Sequence, residues 1–330
     1  MSVFPLSRPQ TLWSRRRAPL GLVVFLAVGV QAAIAVLLAG NPRFYGTTTQ
    51  AKVLDDVHLY QDYADRMLSG EVPYRDFRVE YPPLALPFFV APAWLAGGSF
   101  SHFWLLFGAE MLLLNAASLA MVAWWVRQTE GSRAALLRML WATLLFVPLA
   151  QLSVSRFDLA PAFILFSAAV LWALGKSGCS GVLSGLGVLV KIVPGVVLGP
   201  MLADEVCRWK ESRLRGSWAG LVALGLGLAC WIAAVGGPGE MRESLRYHLD
   251  RGLEAGSLGA GGLMALGRIL QWPMRTEYLF KSTQLVAPGE PWISSLAFPT
   301  QAVALLTVML AFVRRGRGEP LRYMGASVLA

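Results

Sequence analysis

Apolar runs follow one another along this chain with little polar sequence between them. That succession limits the possible folds more than any other feature. Runs lie at about 19–40, 83–98, 103–126, 136–153, 159–175, 180–202, 217–236 and 292–313, with an apolar fragment after 321. The hydrocarbon layer of a bilayer is about 30 Å thick and takes ~20 helical residues to cross. Every backbone polar group inside it needs a partner within the chain, which favours helices. The chain is 55% hydrophobic and only 15% charged, with a mean hydropathy of +0.53. Soluble domains carry roughly 25% charged residues. The expectation is an all-α, polytopic transmembrane helical bundle, one domain over residues 1–330, without a repeat or a soluble second domain.

Charge sets the orientation. The chain has 29 Lys and Arg against 20 Asp and Glu, a net +9. The Arg clusters sit beside apolar runs, the pattern of orientation signals and anionic-lipid contact, so membrane lipids are the expected partner and nucleic acid is not. Arg8, Arg15, Arg16 and Arg17 precede the first run, which reads as an uncleaved span starting inside. If every run crossed, Arg127, Arg133 and Arg138 would fall outside. The run 83–98 is short and holds Pro83, Pro87 and Pro92, so it is expected to lie in the interface or re-enter. The run 180–202 carries Lys191 and Pro194 at its middle, where an ionisable group is costly and a proline frees backbone groups. It is expected as a re-entrant hairpin with Lys191 near the outer tip. With these two segments not crossing, 103–126 runs inward, 136–153 outward, 159–175 inward, 217–236 outward and 292–313 inward. The short basic clusters other than Arg156 then lie inside. The three cysteines have no metal spacing and are expected as free thiols. A long outer loop, 237–291, contains a glycine-rich patch, Gly252 to Gly267, expected as a flexible loop or loosely packed helix.

The most polar run, Leu54 to Pro83, follows the first span inside an outer loop at 41–100. Asp56, Tyr60, Tyr63 and Met67 fall on one face of a predicted helix, and Ser69-Gly70 ends it. Beyond it, Pro73, Pro82 and Pro83 stiffen the loop. A carboxylate on such a platform suits a general base. The same residues would also suit a solvated helix with interfacial aromatics. Asp55, about 100° away round the helix, fits a dipole partner better. His58 is expected at the surface. Glu80 could pair with Arg78 or Arg75, and Asp76 and Glu80 fit either loop structure or acceptor binding. Arg156 and Asp158 stand between two apolar runs and could pair with each other.

Three separated motifs carry a resemblance. The first is Asp56-x-x-x-Tyr60-x-x-Tyr63-Ala64, with Gly70-x-x-Pro73-Tyr74-x-Asp76-Phe77 and Glu80-Tyr81-Pro82-Pro83. The second is Arg156 and Asp158, followed by Gly181-x-x-x-Gly185-x-Gly187-x-x-x-Lys191-x-x-Pro194. The third is Tyr247-His248-x-x-Arg251-Gly252. Together they resemble glycosyltransferase family 87, over roughly Leu54 to Ser257. The family's third motif tends to run on to a Glu-Ser pair, where this chain has Gly256-Ser257.

The resemblance implies a GT-C-type membrane enzyme whose first extracytoplasmic loop holds short interfacial helices. It implies a polyprenyl-phosphate sugar, most often mannose, as donor and a glycolipid or glycan as acceptor, with no metal and no separate cofactor. It places the general base at Asp56. For substrate binding, Lys191 and Arg156 are assigned to the donor phosphate with His248 and Arg251, while Asp158, Tyr60, Asp76 and Glu80 complete the site. The implied location is the cell membrane, multi-pass, with the site on the extracytoplasmic side. The rival readings are a transporter or flippase of lipid-linked sugars, which would share intramembrane charge and broken helices, and an inactive scaffold relative.

Overall fold

A computed structural model describes residues 20–39, 56–207, 215–235, 237, 252–279 and 282–315. Among these, helices dominate and the only sheet is one hairpin. The chain folds as an all-α membrane bundle.

Helix α1 (Leu20–Ala39) packs along α4 (Phe100–Thr129) and α5 (Ser132–Ser155). Purely apolar helices have no preferred register in lipid, and polar side chains supply one. Here Gln31, 1% exposed, accepts a hydrogen bond from the Asn115 amide of α4 and donates to Thr143 of α5 at 3.4 Å. Helices α4 and α5 and the later α9 (Arg215–Val235) are long and apolar enough to cross a membrane. They present Leu113, Trp141 and Leu226 outward, as a lipid-facing surface requires.

Helix α2 spans 56–68 and ends at Gly70, whose φ of 98° is open to glycine. After a loop and a 3-10 turn at Pro83–Ala85, helix α3 (Pro87–Ala96) covers only ten residues, about 15 Å. It lies against α4 and is too short to cross a bilayer on its own. Residues of α2, the loop, α3, the first turns of α4 and Phe157 share one aromatic core. Tyr60 and Phe89 stack at 4.4 Å, and Tyr63, Phe77, Phe103 and Phe107 are all buried in it. Tyr60 and Tyr63 are therefore core residues, not the interfacial aromatics that the sequence also allowed.

Helix α6 (Leu159–Ala173) has 15 residues, about 22 Å, shorter than a perpendicular crossing needs. Helix α7 (Ser177–Val188) returns beside it, tied by the Ser180 hydroxyl to the Ala168 carbonyl at 2.6 Å. The chain turns at 189–192, forms a 3-10 segment, Val193–Val197, and descends as α8 (Leu198–Cys207). This is the hairpin expected around Lys191 and Pro194. Its base is fixed by Glu205, whose carboxylate accepts the Gly216 and Ser217 N–H groups at 2.7 and 2.9 Å and so caps α9. Its tip is fixed by the Leu84 N–H, which donates to the Leu189 carbonyl at 2.8 Å.

Helices α7 and α9 run parallel in backbone contact. A Cβ on Gly181 would stand 1.9 Å from the Gly216 carbonyl oxygen, and one on Gly185 2.1 Å from that of Gly220. Further along, a Cβ on Gly227 would meet Leu189 Cδ1 at 2.2 Å. Two small-xxx-small stripes face each other here, which lets backbones approach where lipid supplies no hydrophobic drive.

The glycine-rich patch takes the helical of its two expected forms, within a compact unit that the sequence did not suggest. Helix α10 (Leu258–Ile269) is N-capped by Ser257, which accepts from the Ala260 N–H at 3.2 Å. It packs on an antiparallel hairpin of β1 (Arg275–Leu279) and β2 (Ser282–Val286), with Arg275 opposite Val286 and Leu279 opposite Ser282. The last described helix, α11 (Glu290–Arg315), starts from this unit and packs along α8. The Glu290 carboxylate accepts the Leu253 N–H at 3.1 Å and closes the unit. Cys179, Cys207 and Cys230 are free and exposed.

Candidate active site

Four charged side chains from three stretches of sequence meet at the bundle end that carries α2. Asp56 opens α2. Arg156 follows the last residue of α5, in extended conformation, and Asp158 precedes the first residue of α6. Lys191 is in the hairpin turn. The simple expectation, an Arg156–Asp158 pair, is not what forms. The pairs cross instead: Arg156 Nε lies 2.7 Å from Asp56 Oδ2, and Lys191 Nζ bonds Asp158 Oδ1. The reason is local. Residues 156 and 158 flank a tight corner whose central residue, Phe157, is 1% exposed and drives its ring into the aromatic core. That anchor points the two charged neighbours elsewhere, Arg156 to α2 and Asp158 to the hairpin tip.

The four side chains are partly open to solvent. Relative exposures are 21% for Asp56, 43% for Arg156, 60% for Asp158 and 38% for Lys191. Burial tends to lower the Arg156 pKa. Asp56, with Tyr60, Tyr81 and Asp158 behind it, more than offsets that, so the guanidinium stays charged.

The floor beside Asp56 is a tyrosine network. The Tyr60 and Tyr81 hydroxyls are 3.1 Å apart, and the Tyr60 oxygen also receives the Phe157 backbone N–H. Burial, then the Asp56 charge, pushes the Tyr60 phenol above its ordinary range; burial, then Tyr60, does the same to Tyr81. Both remain neutral hydrogen-bonding groups at any working pH. The Tyr74 hydroxyl donates to the Tyr81 carbonyl, and its ring packs on Trp231 of α9 with centroids 4.7 Å apart. Tyr74 has a φ of 69°, uncommon for a bulky residue, and such strain gathers at sites that the surroundings over-determine.

Asp76 has a visible structural role. Its carboxylate accepts the Val72 N–H at 2.7 Å and two bonds from Arg75, both at 2.9 Å. The Arg75 bonds, then the Val72 N–H, hold its pKa down to about 2. Arg75 therefore serves Asp76. Glu80 is half-buried at the far end of the same loop, with one carboxylate oxygen sealed from solvent. His58 is exposed and stacks on Phe100 at 3.8 Å. Asp55, His248 and Arg251 lie outside the described residues. Among the described residues, no three His, Cys, Asp or Glu side chains gather as a metal site would need.

The sequence reading missed Tyr74 and Tyr81 as site-shaping groups. Both stood in the quoted motifs, but nothing in their spacing shows a hydroxyl contact across seven residues. It also passed over Glu110 inside the α4 run, an ionisable group in a helix long and apolar enough to cross a membrane, with one buried oxygen that lacks a hydrogen-bond partner among the described residues.

A crossed pair of acids and cations at the end of a helical membrane bundle invites comparison with known proteins. The family model for glycosyltransferase family 87 matches residues 80–330. The chain belongs to glycosyltransferase family 87. It is thus a membrane glycosyltransferase, and Arg156, Asp158 and Lys191 fall inside the matched region, with Glu80 at its first position. Asp56, Tyr60 and Asp76 precede the match, and what ties them to it is geometry, above all the Asp56–Arg156 contact. No curated protein and no solved structure matches the chain.

Proposed function

We propose that this family 87 enzyme transfers a hexose, mannose in our reading, from a polyprenyl-phosphate carrier to a glycolipid or glycan hydroxyl on the extracytoplasmic side of a multi-pass membrane protein. The observation that carries the reading is the crossed set Asp56–Arg156 and Asp158–Lys191, in which two acids and two cations suited to a phosphate share one bundle end. Asp56 accepts the proton of the acceptor hydroxyl. The acceptor oxygen forms a bond to the anomeric carbon as the bond from that carbon to the phosphate oxygen breaks. The polyprenyl phosphate leaves with the electron pair, and Lys191 and Arg156 stabilise its charge. A single displacement inverts the anomeric centre. No step requires a metal, because two protein cations supply the positive charge.

The crossed pairing adds an order of events. With no donor present, each cation is held by an acid. A donor phosphate competes for Arg156 and Lys191, and its arrival frees Asp56 to meet the acceptor. Donor binding then precedes productive acceptor binding. Purified enzyme given radiolabelled polyprenyl-phosphate mannose and an acceptor extract tests the reading. Wild type should label a product and Asp56→Asn should not. Near-normal transfer by Asp56→Asn would remove the base assignment. Movement of label across sealed vesicles without product would favour a transporter.

A further inference from the structure

Helix α10 is apolar on two opposite faces, and only one is covered by the described residues. Ala260, Leu263 and Gly267 point into the unit's own core, with Met264, Trp272 and Ile293 against them. Roughly 140–180° round the helix, at the 100° per residue of an α-helix, stand Leu258, Ala265 and Ile269, with Leu266 at one margin. Leu258 is 95% exposed and Ile269 78%. Such a stripe in a small outer unit needs an occupant.

Continuity with the rest of the molecule says which. The unit is spliced directly into α11. Gly259, next to Leu258, is packed so closely on α11 that a Cβ there would stand 2.8 Å from Ile293 Cγ2. Trp292, beside Ile293, is 76% exposed, and Leu296, Val303 and Leu306 continue an exposed apolar stripe down α11. The bare face of α10 thus adjoins the exposed apolar side of a 26-residue helix in a membrane enzyme. Trp292 marks the boundary as an interfacial aromatic does. Arg268, exposed and about 80° from the centre of the bare stripe, stands where its guanidinium can reach headgroup phosphates while its stem lies on the apolar side.

We propose that α10 is an interfacial helix lying in the bilayer surface, with Leu258, Ala265 and Ile269 in the acyl-chain boundary and Arg268 among lipid headgroups. The occupant of the bare face is lipid, not a second protein. The placement stands independently of which sugar the enzyme transfers.

Spin labels test it on the full-length protein in nanodiscs of mixed zwitterionic and anionic lipid, after Cys179, Cys207 and Cys230 are replaced by serine. Single cysteines at Leu258 and Ile269 are compared with Leu113→Cys, on the lipid face of α4, and Asp65→Cys, on the exposed side of α2. Collision with dissolved oxygen and with a water-soluble nickel chelate is read at each. The expected result is a ratio of oxygen to chelate collisions at 258 and 269 above that at 65, moving toward the ratio at 113. A ratio equal to that at 65 overturns the proposal, because the face is then in water. Immobile labels shielded from both reagents overturn it too, because protein then covers the face. Melting temperatures of the labelled variants, unchanged from the cysteine-free parent, establish that the fold is intact.

Discussion

Replacing Gly181 with alanine tests the seam that sets the position of Lys191. The new Cβ would stand 1.9 Å from the Gly216 carbonyl oxygen and 2.7 Å from its carbon. Ordinary contact begins near 3.4 Å, so α7 and α9 must part locally by about 1.5 Å. The obstacle is backbone, which cannot swing aside as a side chain can. Overpacking of this kind costs about 1–3 kcal/mol. At ~2–4 °C per kcal/mol for a chain of this order of size, the melting temperature should fall by about 2–12 °C. The same step displaces the hairpin tip, and a misplacement of ~1 Å at a reacting centre can cost about 10²-fold in rate. The comparison is Gly178→Ala on the same helix, where a Cβ meets nothing within 4 Å. That change should be neutral, or stabilising by up to ~1 kcal/mol through helix propensity. Thermal unfolding in detergent micelles and sugar transfer by each variant are the two readouts. If Gly181→Ala melts with Gly178→Ala and transfers normally, the two helices are not in backbone contact and the argument for the tip's position fails.

Asp56→Asn should lower the turnover of sugar transfer by about 10²–10⁴-fold, as loss of a general base does, and donor KM should fall, because the phosphate no longer competes with a carboxylate for Arg156; initial-rate kinetics check both. Lys191→Ala and Arg156→Ala should instead weaken donor binding, and charge-assisted contacts of this kind contribute about 1.5–3 kcal/mol each, so donor KM should rise at least tenfold. Tyr81→Phe removes a buried hydroxyl that Tyr60 meets at 3.1 Å; it should destabilise by about 1 kcal/mol, seen as a lower melting temperature. Gln31→Leu should loosen α1 from α4 and α5 by about 0.6–2 kcal/mol, read as faster proteolysis near the N-terminus in micelles.

Much of the bundle was legible because membrane physics leaves few choices. Run length and flanking arginines marked α1, α4, α5 and α9, and a lysine with a nearby proline inside an apolar run marked the α7–α8 hairpin. Short segments were harder. The run 159–175 looked like a span by composition, yet α6 holds only 15 residues, because the run is itself short and a turn at Gly175 takes up its C-terminal end. The β-hairpin went unseen although Arg275-Thr-Glu-Tyr-Leu and Ser282-Thr-Gln-Leu-Val carry strand-type residues; the adjoining glycines drew the reading toward a loop. At the site, the residue types were legible and their pairing was not. Arg156 and Asp158 are two residues apart, and local spacing allows their mutual pair. Only the burial of Phe157 in a distant aromatic cluster turns them apart.

The contact between Tyr74 and Trp231 gives α9 a role beyond closing the bundle. At one end α9 is pinned by the Glu205 carboxylate; at the other its tryptophan props up the strained turn of the acid-bearing loop. A helix fixed at both ends acts as a ruler, and each added turn would raise that loop by about 5.4 Å. The position of the loop at this end of the bundle is therefore written in the length of a helix that contributes none of the four charges.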